Sequence, residues 1–300
     1  MSDSPTHGSR KSGPGEVGLV TTPEISSDRR PLARGDSRLR TESATIGYDK
    51  RRISQDLSVA IPDTSFTVIV GPNACGKSTL LRGLSRLIKP TAGHVILDGA
   101  DISSYKAKEV ARRLGLLPQS SIAPDGITVA DLVARGRHPH QGLLRQWTAD
   151  DEQAVMDAME ATSVTDLSGR LVDELSGGQR QRVWVALALA QQTEILLLDE
   201  PTTFLDITHQ IDLLELFTDL NREGRTMVAV LHDLNHAARY GSHLIAMKDG
   251  RVVAEGAPED VVTAELVHEV FGLQCIVVPD PVAGTPQVIP LGRSQSAGRR

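Results

Sequence analysis

The stretch "GPNACGKST" (71–79) decides the fold of this 300-residue chain. Gly71 and Gly76 bracket four residues, and Lys77 and Ser78 follow, so the stretch matches the pattern G-x-x-x-x-G-K-[ST]. Glycine adopts backbone conformations that other residues avoid, and two glycines at this spacing let successive N–H groups point at one anion. The pattern predicts a loop that cradles phosphate; the alternative is a glycine turn followed by a chance lysine.

The sequence on either side of the loop favours the phosphate cradle. "FTVIV" (66–70) is a continuously apolar run typical of a buried parallel strand, and "KSTLLRGLSRLI" (77–88) carries leucines at helical spacing. A helix that begins near Lys77 adds the positive end of its dipole, the Lys77 ammonium can bridge β- and γ-phosphates, and the Ser78 hydroxyl can ligate magnesium. The predicted phosphate-binding residues are Gly71, Pro72, Asn73, Ala74, Cys75, Gly76, Lys77, Ser78 and Thr79.

The composition excludes several classes of protein. With 40% hydrophobic and 23% charged residues, the chain is typical of a soluble globular protein. A net charge of −6 and only 3% aromatic residues argue against a nucleic-acid partner. Cys75 and Cys275 are too few for a disulfide framework or a zinc site, which fits a cytosolic compartment. We expect no membrane span and no signal peptide, because the apolar run at 183–190 is short and the N-terminus lacks an apolar core.

Strand and helix signals alternate along the chain, which predicts βαβ units over a parallel sheet. "ILLLD" (195–199) and "TMVAVLH" (226–232) are further buried-strand candidates, and a helix candidate at 207–221 separates them. "LIAMKDGRVVAEG" (244–256) predicts a hairpin that forms, with "GHVILDG" (93–99), a smaller antiparallel sheet. The predicted organisation is a disordered tail over 1–40, one domain over 41–275 with a helical insert at about 120–178, and a partly disordered extension over 276–300.

Two further stretches contain candidate catalytic and ligand-binding residues. "ILLLDEP" (195–201) places Asp199 and Glu200 at the carboxyl end of a buried strand, where Asp199 could hold magnesium and Glu200 could act as a general base. The alternative is an acidic strand end that faces solvent. "LSGGQRQR" (175–182) places Ser176 and two glycines at the start of a helix, a second potential phosphate site, although alone it could be a flexible cap.

Taken together, the motifs resemble those of the nucleotide-binding subunit of an ABC transporter. The resemblance covers roughly residues 41–275 and rests on five motifs in order: "GPNACGKST", "LLPQS" around Gln119, "LSGGQ", "ILLLDEP" and "VLHDLN" around His232. It implies an α/β fold, a P-loop NTPase of ABC type with a parallel sheet core, an antiparallel β subdomain and a helical subdomain. A kinase would leave "LSGGQ" unexplained.

The resemblance implies a homodimer in which two subunits pair head to tail. Each ATP, with Mg²⁺, would lie between the phosphate loop of one copy and the "LSGGQ" helix of the other. The residues expected to contact ATP from the partner's side are Ser176, Gly177, Gly178 and Gln179. Asp206, in "PTTFLD", matches the family's loop across the dimer seam, with an N-capping role as the alternative.

The resemblance also assigns roles around the γ-phosphate. It implies that Glu200 is the general base, that His232 contacts the γ-phosphate, and that Gln119 reaches the metal and the attacking water. The expected magnesium ligands are Ser78, Gln119 and Asp199. Tyr48, in "IGYDKRR", would stack on adenine, or else only pack at a strand end. Cys75 is unusual in such a loop, and it is either redox-sensitive or a small inert side chain, which we favour.

The stretches 127–142 and 147–155 resemble the subgroup of importers for ferric siderophores, haem and cobalamin. We therefore expect an ATP hydrolase that energises ferric siderophore uptake through a separate integral-membrane permease, and through it serves a substrate-binding protein. The subunit would lie peripherally on the cytoplasmic face of the plasma membrane. The basic loop "RGRHPH" (135–140) is expected to dock on a permease helix, since two histidines around a proline rarely bind a metal. Alternatives are import of haem or cobalamin, or a soluble ABC switch that acts on ribosomes or DNA.

Overall fold

Three β-sheets and the helices that connect them make up the described part of the chain. The structure is a computed structural model, and it describes residues 1, 37–48, 51–119, 122–142 and 147–292. The strands are β1 (Leu39–Tyr48), β2 (Arg51–Leu57), β3 (Ala60–Ile61), β4 (Phe66–Val70), β5 (Ala92–Leu97), β6 (Ala100–Asp101), β7 (Leu114–Leu117), β8 (Ile195–Asp199), β9 (Thr226–Val230), β10 (His243–Lys248), β11 (Arg251–Gly256), β12 (Cys275–Pro279) and β13 (Pro286–Pro290). The helices are α1 (Lys77–Leu84), α2 (Ala107–Arg113), α3 (Val129–Ala134), α4 (Ala149–Ala161), α5 (Gly177–Ala190), α6 (Ile207–Arg222), α7 (Leu234–Tyr240), α8 (Pro258–Val261) and α9 (Ala264–Phe271).

The largest sheet has the strand order β11-β10-β4-β9-β8-β7, and all its pairings are parallel except that of β10 with β11. Every residue of β4, β8 and β9 is buried. Strands covered on both faces are expected to read as continuous apolar runs, as these three do. The prediction of buried parallel strands is therefore confirmed at 66–70 and 195–199, and the strand predicted at 226–232 ends at Val230.

The two faces of this sheet bury two different cores, because successive side chains of a strand point to opposite faces. Leu196 and Leu198 of β8 pack with the helices α5, α6 and α7 in one core. Ile195 and Leu197 pack in the other core, with leucines of α1 and residues of the antiparallel sheet. The parallel sheet thus lies between a helical layer and a layer made of α1 and the second sheet.

The second sheet is antiparallel, with the order β2-β1-β5-β6 and β3 paired to β1. The prediction for 93–99 is right, since β5 belongs to this sheet. The prediction that the hairpin 244–256 belongs to it is wrong, because β10 pairs in parallel with β4 and β11 forms the edge of the main sheet. The reason is burial: the strand's central residues, from Leu244 to Met247, are fully buried, so β10 requires cover on both faces.

Helix α1 is shorter than the leucine spacing predicts. It ends at Leu84, and Arg86 adopts a left-handed conformation with φ of 64°. A left-handed residue just past the last turn ends a helix. Leu87, which the sequence places on the buried face, is 63% exposed as a result.

The described part of the predicted helical insert contains α3 and α4, which pack against α5. Residues 120, 121 and 143–146 of the insert lie outside the described part. The first strand begins at Leu39, two residues before the predicted domain boundary at 41. At the other end, residues of the predicted extension form the antiparallel hairpin β12–β13, which packs on α7. The predicted tails at 2–36 and 293–300 lie outside the described residues.

No helix within the described residues is long and apolar enough to cross a membrane.

Candidate active site

The loop 71–76 joins β4 to α1, and only glycine fits at its first position. A Cβ on Gly71 would lie 2.2 Å from the carbonyl oxygen of Met247, in the neighbouring strand β10. Gly76 caps α1 with φ of 107°, and Ala74 is also left-handed with φ of 61°. The loop therefore turns tightly against the sheet and delivers the chain directly into the N-terminus of α1.

Lys77 is the buried cation of this loop. Its ammonium donates hydrogen bonds of 2.8 Å to the carbonyl oxygens of both Gly71 and Pro72, and the residue is only 5% exposed. These two partners are neutral, and an ammonium has a third N–H to donate. A buried charge is expensive unless it is paired, so the loop fits an anion beside Lys77.

Ser78 and Asp199 form a second feature of the site. The Ser78 hydroxyl donates to Oδ1 of Asp199 at 2.8 Å. The other oxygen, Oδ2, is buried, accepts no hydrogen bond, and lies 4.0 Å from Nε of Arg82. Burial raises the pKa of Asp199, and the Ser78 hydrogen bond and the Arg82 charge only partly oppose this. A hydroxyl and a carboxylate with an unused buried oxygen are suitable ligands for Mg²⁺, so these residues fit that ion.

Glu200 is held from both sides. Its Oε1 lies 2.8 Å from Nε2 of His232, and its Oε2 accepts a 2.8 Å hydrogen bond from Nε2 of Gln119. Thr203 contacts Oε2 at 3.5 Å. The Glu200 backbone is left-handed, with φ of 55°, a strained conformation that functional sites concentrate.

The sheet explains why these three side chains meet. Gln119 follows β7, Glu200 follows β8, and His232 follows β9, and these strands are parallel neighbours. The carboxyl ends of parallel strands lie at one edge of the sheet, where ligands gather in open α/β folds. The phosphate loop follows β4, the next strand along, so the same edge carries all four segments.

These residues open onto one cleft of about 490 Å³. The residues that line it are Ile53, Asn73, Ala74, Gly76, Lys77, Ser78, Thr79, Gln119, Glu200 and His232. The structure thus brings the phosphate loop and the three catalytic candidates together. Ile53 was not predicted; it comes from β2 in the other sheet, and nothing in its local sequence marks it.

Tyr48 is not among the residues that line this cleft. It ends β1, is 42% exposed, and its hydroxyl accepts a 2.9 Å hydrogen bond from Arg82. Arg82 was not predicted either, although it stands between Tyr48 and Asp199. Its position on α1, one turn after Ser78, is the only sequence signal that could have pointed to it.

The second predicted phosphate site lies at the start of α5. The Ser176 hydroxyl accepts from the backbone N–H of Gln179, and the Gln179 side chain accepts from the backbone N–H of Ser176. This capping box fixes the helix N-terminus. Gly177 lines a neighbouring groove of about 520 Å³ that also includes Gln119. None of the four residues 176–179 lines the cleft over the phosphate loop.

Asp206 caps the helix α6. Its Oδ1 accepts from the backbone N–H of His209 and lies 2.7 Å from Nδ1 of the same residue. Both contacts hold the pKa of Asp206 below its usual range. The N-capping alternative is thus present in the structure, and it leaves the carboxylate on the surface.

Cys75 is buried within the phosphate loop. Burial raises the pKa of its thiol, and the charge of Lys77 only partly opposes this. The thiol is therefore neutral at pH 7, and a neutral buried thiol reacts slowly. This environment favours the inert alternative.

Docking of the basic loop 135–140 on a permease helix stays a prediction, but Arg137 does not offer its charge at the surface of this loop. Arg137 is 4% exposed, and its guanidinium bonds to Oδ1 of buried Asp151 at 2.9 Å and to the carbonyl oxygen of Ala190 at 2.8 Å. Nε2 of His140 lies 2.8 Å from the carbonyl oxygen of Gln191. The last carbonyl groups of a helix have no partner within it, and these bonds satisfy two of them at the end of α5. The loop thereby links α3 and α4 to the end of α5.

The family model described as "ABC transporter" matches residues 54–203, half of the chain. The chain belongs to the ABC transporter family. It is an ATP-binding protein of that family, and its ATP hydrolysis is coupled to transport.

Among its relatives is "Ferric enterobactin transport ATP-binding protein FepC" of Escherichia coli, which is 61% identical over 86% of this chain and 96% of its own length. "Probable siderophore transport system ATP-binding protein YusV" of Bacillus subtilis is 53% identical over 87% of this chain and 95% of its own length. The solved dimeric structure of the bacterial ABC transporter cassette MJ0796 superposes with a TM-score of 0.66 and 27% identity, covering 73% of this chain and 98% of that one.

Proposed function

We propose that this chain is the ATP-binding subunit of an ABC importer, and that it hydrolyses ATP to energise uptake of ferric siderophores through a separate permease. The substrate assignment rests on 61% identity, over 86% of the chain, to a ferric enterobactin transport protein. An iron(3+)-hydroxamate import protein of Bacillus subtilis is 45% identical over 83% of the chain. A cobalamin import protein of Halobacterium salinarum is less similar, at 43% over 82%.

The active unit is a head-to-tail homodimer. In one copy, the phosphate loop and the start of α5 open onto different clefts, so a single copy does not surround one nucleotide with both. A second copy supplies Ser176, Gly177, Gly178 and Gln179 to the nucleotide, and Asp206 lies at the seam. The similarity to a dimeric ABC cassette supports this arrangement.

In each site the phosphate loop binds the triphosphate through its backbone N–H groups and Lys77. Ser78, Asp199 and Gln119 would hold Mg²⁺, which would supply positive charge to the triphosphate. Tyr48 stacks on the adenine. The alternative is that Tyr48 only packs at the end of β1, where its hydroxyl accepts a hydrogen bond from Arg82. The buried Oδ2 atom of Asp199 accepts no hydrogen bond, and this feature best supports the metal assignment.

Glu200 is the general base. Its two oxygens are already oriented by His232 and Gln119, so the carboxylate needs little rearrangement to accept a proton from an attacking water. His232 contacts the γ-phosphate while it steadies Glu200. Gln119 would help to hold the metal and the attacking water. Because Gln119 also bonds to Glu200, it would report the bound state to the helical region.

The partners are integral-membrane permease subunits, and a substrate-binding protein that acts through the permease. The chain lies peripherally on the cytoplasmic face of the membrane. Names of importer subunits among its relatives support this placement. No nucleic-acid partner is expected.

A transport assay tests the proposal. A strain that lacks the gene is complemented with the wild-type chain, with Glu200→Gln, or with Glu194→Gln, a matched change at the opposite, exposed end of β8. We expect uptake of radiolabelled iron in siderophore complexes to return with wild type and Glu194→Gln, and to stay absent with Glu200→Gln. Normal siderophore uptake by the deletion strain would refute the assignment of ferric siderophores as the substrate.

The same strains separate the alternatives. Loss of haem or cobalamin uptake with normal siderophore uptake would assign the other substrates of this subgroup. Co-purification with ribosomes rather than with a membrane protein would indicate a soluble switch. Phosphorylation of a second substrate by the purified chain would indicate a kinase.

A further inference from the structure

The C-terminal hairpin β12–β13 is attached to the helix that begins beside the active site. The backbone N–H of Val288 in β13 donates to Oδ1 of Asn235 at 2.7 Å, and Nδ2 of Asn235 donates to the carbonyl oxygen of Val288 at 3.3 Å. Asn235 lies in the first turn of α7. The hairpin lies beyond the residues 54–203 that the family model matches.

The pairing is specific because of strand geometry. The N–H and C=O of one residue in an extended strand point to the same side, and a carboxamide offers an acceptor and a donor side by side, as a peptide group does. Asn235 therefore pairs with the outer edge of β13 much as a third strand would. Val288 itself is only 6% exposed, so losing this pair would leave nearly buried backbone groups unsatisfied.

The same turn of α7 is fixed from its other side. Oδ1 of Asp233, the N-cap residue, accepts from the backbone N–H groups of Asn235 and His236. His232 directly precedes this cap. The hairpin, the side chain of Asn235 and the cap thus form one continuous connection to the backbone of His232.

His232 lies at the active-site end of this connection, and its ring is oriented toward Glu200. Its side chain is 48% exposed, so packing alone does not fix the ring, yet Nε2 lies 2.8 Å from Oε1 of Glu200. We infer that Asn235 is a positioning residue, which uses the C-terminal hairpin as a brace to hold His232 against Glu200. The inference rests on the role proposed above for His232 in ATP hydrolysis.

A second contact between the same two elements offers a matched control. At the far end of α7, Nη1 of Arg239 lies 3.8 Å from Oδ2 of Asp280, which follows β12. This pair also joins α7 to the hairpin, but it lies about two turns from His232. Arg239→Gln therefore tests whether any change at the contact between α7 and the hairpin lowers activity, while the double-mutant cycle below separates positioning of His232 from general packing.

Steady-state ATPase assays of the full chain test the inference. We expect Asn235→Ala to lower kcat about tenfold with KM for ATP changed less than about twofold, because positioning of His232 is lost while the phosphate loop is intact. We expect Arg239→Gln to change kcat by less than about twofold. Equal effects of the two substitutions, or a wild-type kcat for Asn235→Ala, would overturn the inference.

A double-mutant cycle shows whether Asn235 acts through His232. We expect His232→Ala to lower kcat, and Asn235→Ala to cause no further loss when it is added to His232→Ala. If Asn235→Ala lowers kcat equally in both backgrounds, Asn235 acts by another route and the inference fails, while the proposed function stands. A wild-type rate for His232→Ala would refute the proposed role of His232, and the inference with it.

Hydrogen exchange of the wild-type chain supplies a measurement that does not depend on a variant folding. The amide of Val288 should be protected from exchange at least about tenfold relative to an unstructured peptide, because its N–H is bonded to Asn235. Exchange at the unstructured rate would show that the brace is open, and would overturn the inference.

Discussion

The Ser78 hydroxyl donates a 2.8 Å hydrogen bond to Asp199, which lies 121 residues further along the chain. Ser78 is the second residue of α1, the helix after β4, and Asp199 ends β8. Strand β9 separates β4 from β8 in the sheet. The bond therefore spans the sheet edge behind the cleft. It places a hydroxyl and a carboxylate side by side, as the proposed metal site requires.

Removing the Ser78 hydroxyl should lower the affinity of the site for Mg²⁺. We expect Ser78→Ala to raise the Mg²⁺ concentration for half-maximal ATPase activity about tenfold or more, because one ligand and the orienting bond to Asp199 are both lost. Ser78→Thr keeps a hydroxyl and should differ much less. Titration of Mg²⁺ at saturating ATP measures both, and identical curves for Ser78→Ala and wild type would contradict the metal assignment.

Glu200→Gln should separate ATP binding from hydrolysis. The amide cannot take a proton from water, so we expect hydrolysis to slow by at least about a hundredfold. ATP binding should persist, because Lys77 and the phosphate loop are unchanged. Single-turnover assays and equilibrium binding measure the two properties, with Glu194→Gln as the control at the opposite end of β8. Rapid turnover by Glu200→Gln would remove its role as base.

The sequence predicts three strands of the main sheet, β4, β8 and β9, because they are buried on both faces and so contain little besides apolar residues. It does not predict their order, on which the meeting of Gln119, Glu200 and His232 depends. The misplacement of the hairpin 244–256 has the same origin, since a hairpin signal does not say which strand lies beside it.

Sequence patterns also do not predict the contacts between layers. Ile53 enters the cleft from the antiparallel sheet, and Asn235 reaches a strand more than fifty residues further along. The burial of Arg137 was missed because a basic motif of several residues suggests an exposed surface, whereas the structure pairs one of its charges with Asp151.

Gly71→Ala should disrupt the phosphate loop. The added Cβ would lie 2.2 Å from the carbonyl oxygen of Met247 and 2.8 Å from Sγ of Cys75, so the loop must shift away from β10. We expect ATP affinity to fall by at least about tenfold, together with a lower melting temperature. Gly169→Ala is the matched control, because a Cβ there meets nothing within 4 Å. Calorimetric binding and thermal unfolding measure the difference, and equal behaviour of the two variants would contradict this account.

The buried pair Arg137–Asp151 should make stability depend on pH in a defined direction. Burial alone would raise the pKa of Asp151, but the hydrogen bonds from Arg137 and Thr148 outweigh it and hold the pKa below its ordinary value of 3.8. The folded state therefore gains stability that is fully present above about pH 4 and is lost as pH falls through the lowered pKa.

Arg137→Met leaves a buried carboxylate without its cation. We expect the free energy of unfolding at pH 7 to fall by about 3–5 kcal/mol, and the loss to shrink as pH falls, because the unpaired carboxyl now takes up a proton on folding. The double substitution Arg137→Met with Asp151→Leu should recover most of the loss, since no buried charge remains. Urea unfolding at pH 7 and pH 5 measures all three chains. A loss for Arg137→Met that is the same at both pH values, or that the second substitution does not recover, would show that the pair does not stabilise the fold in this way.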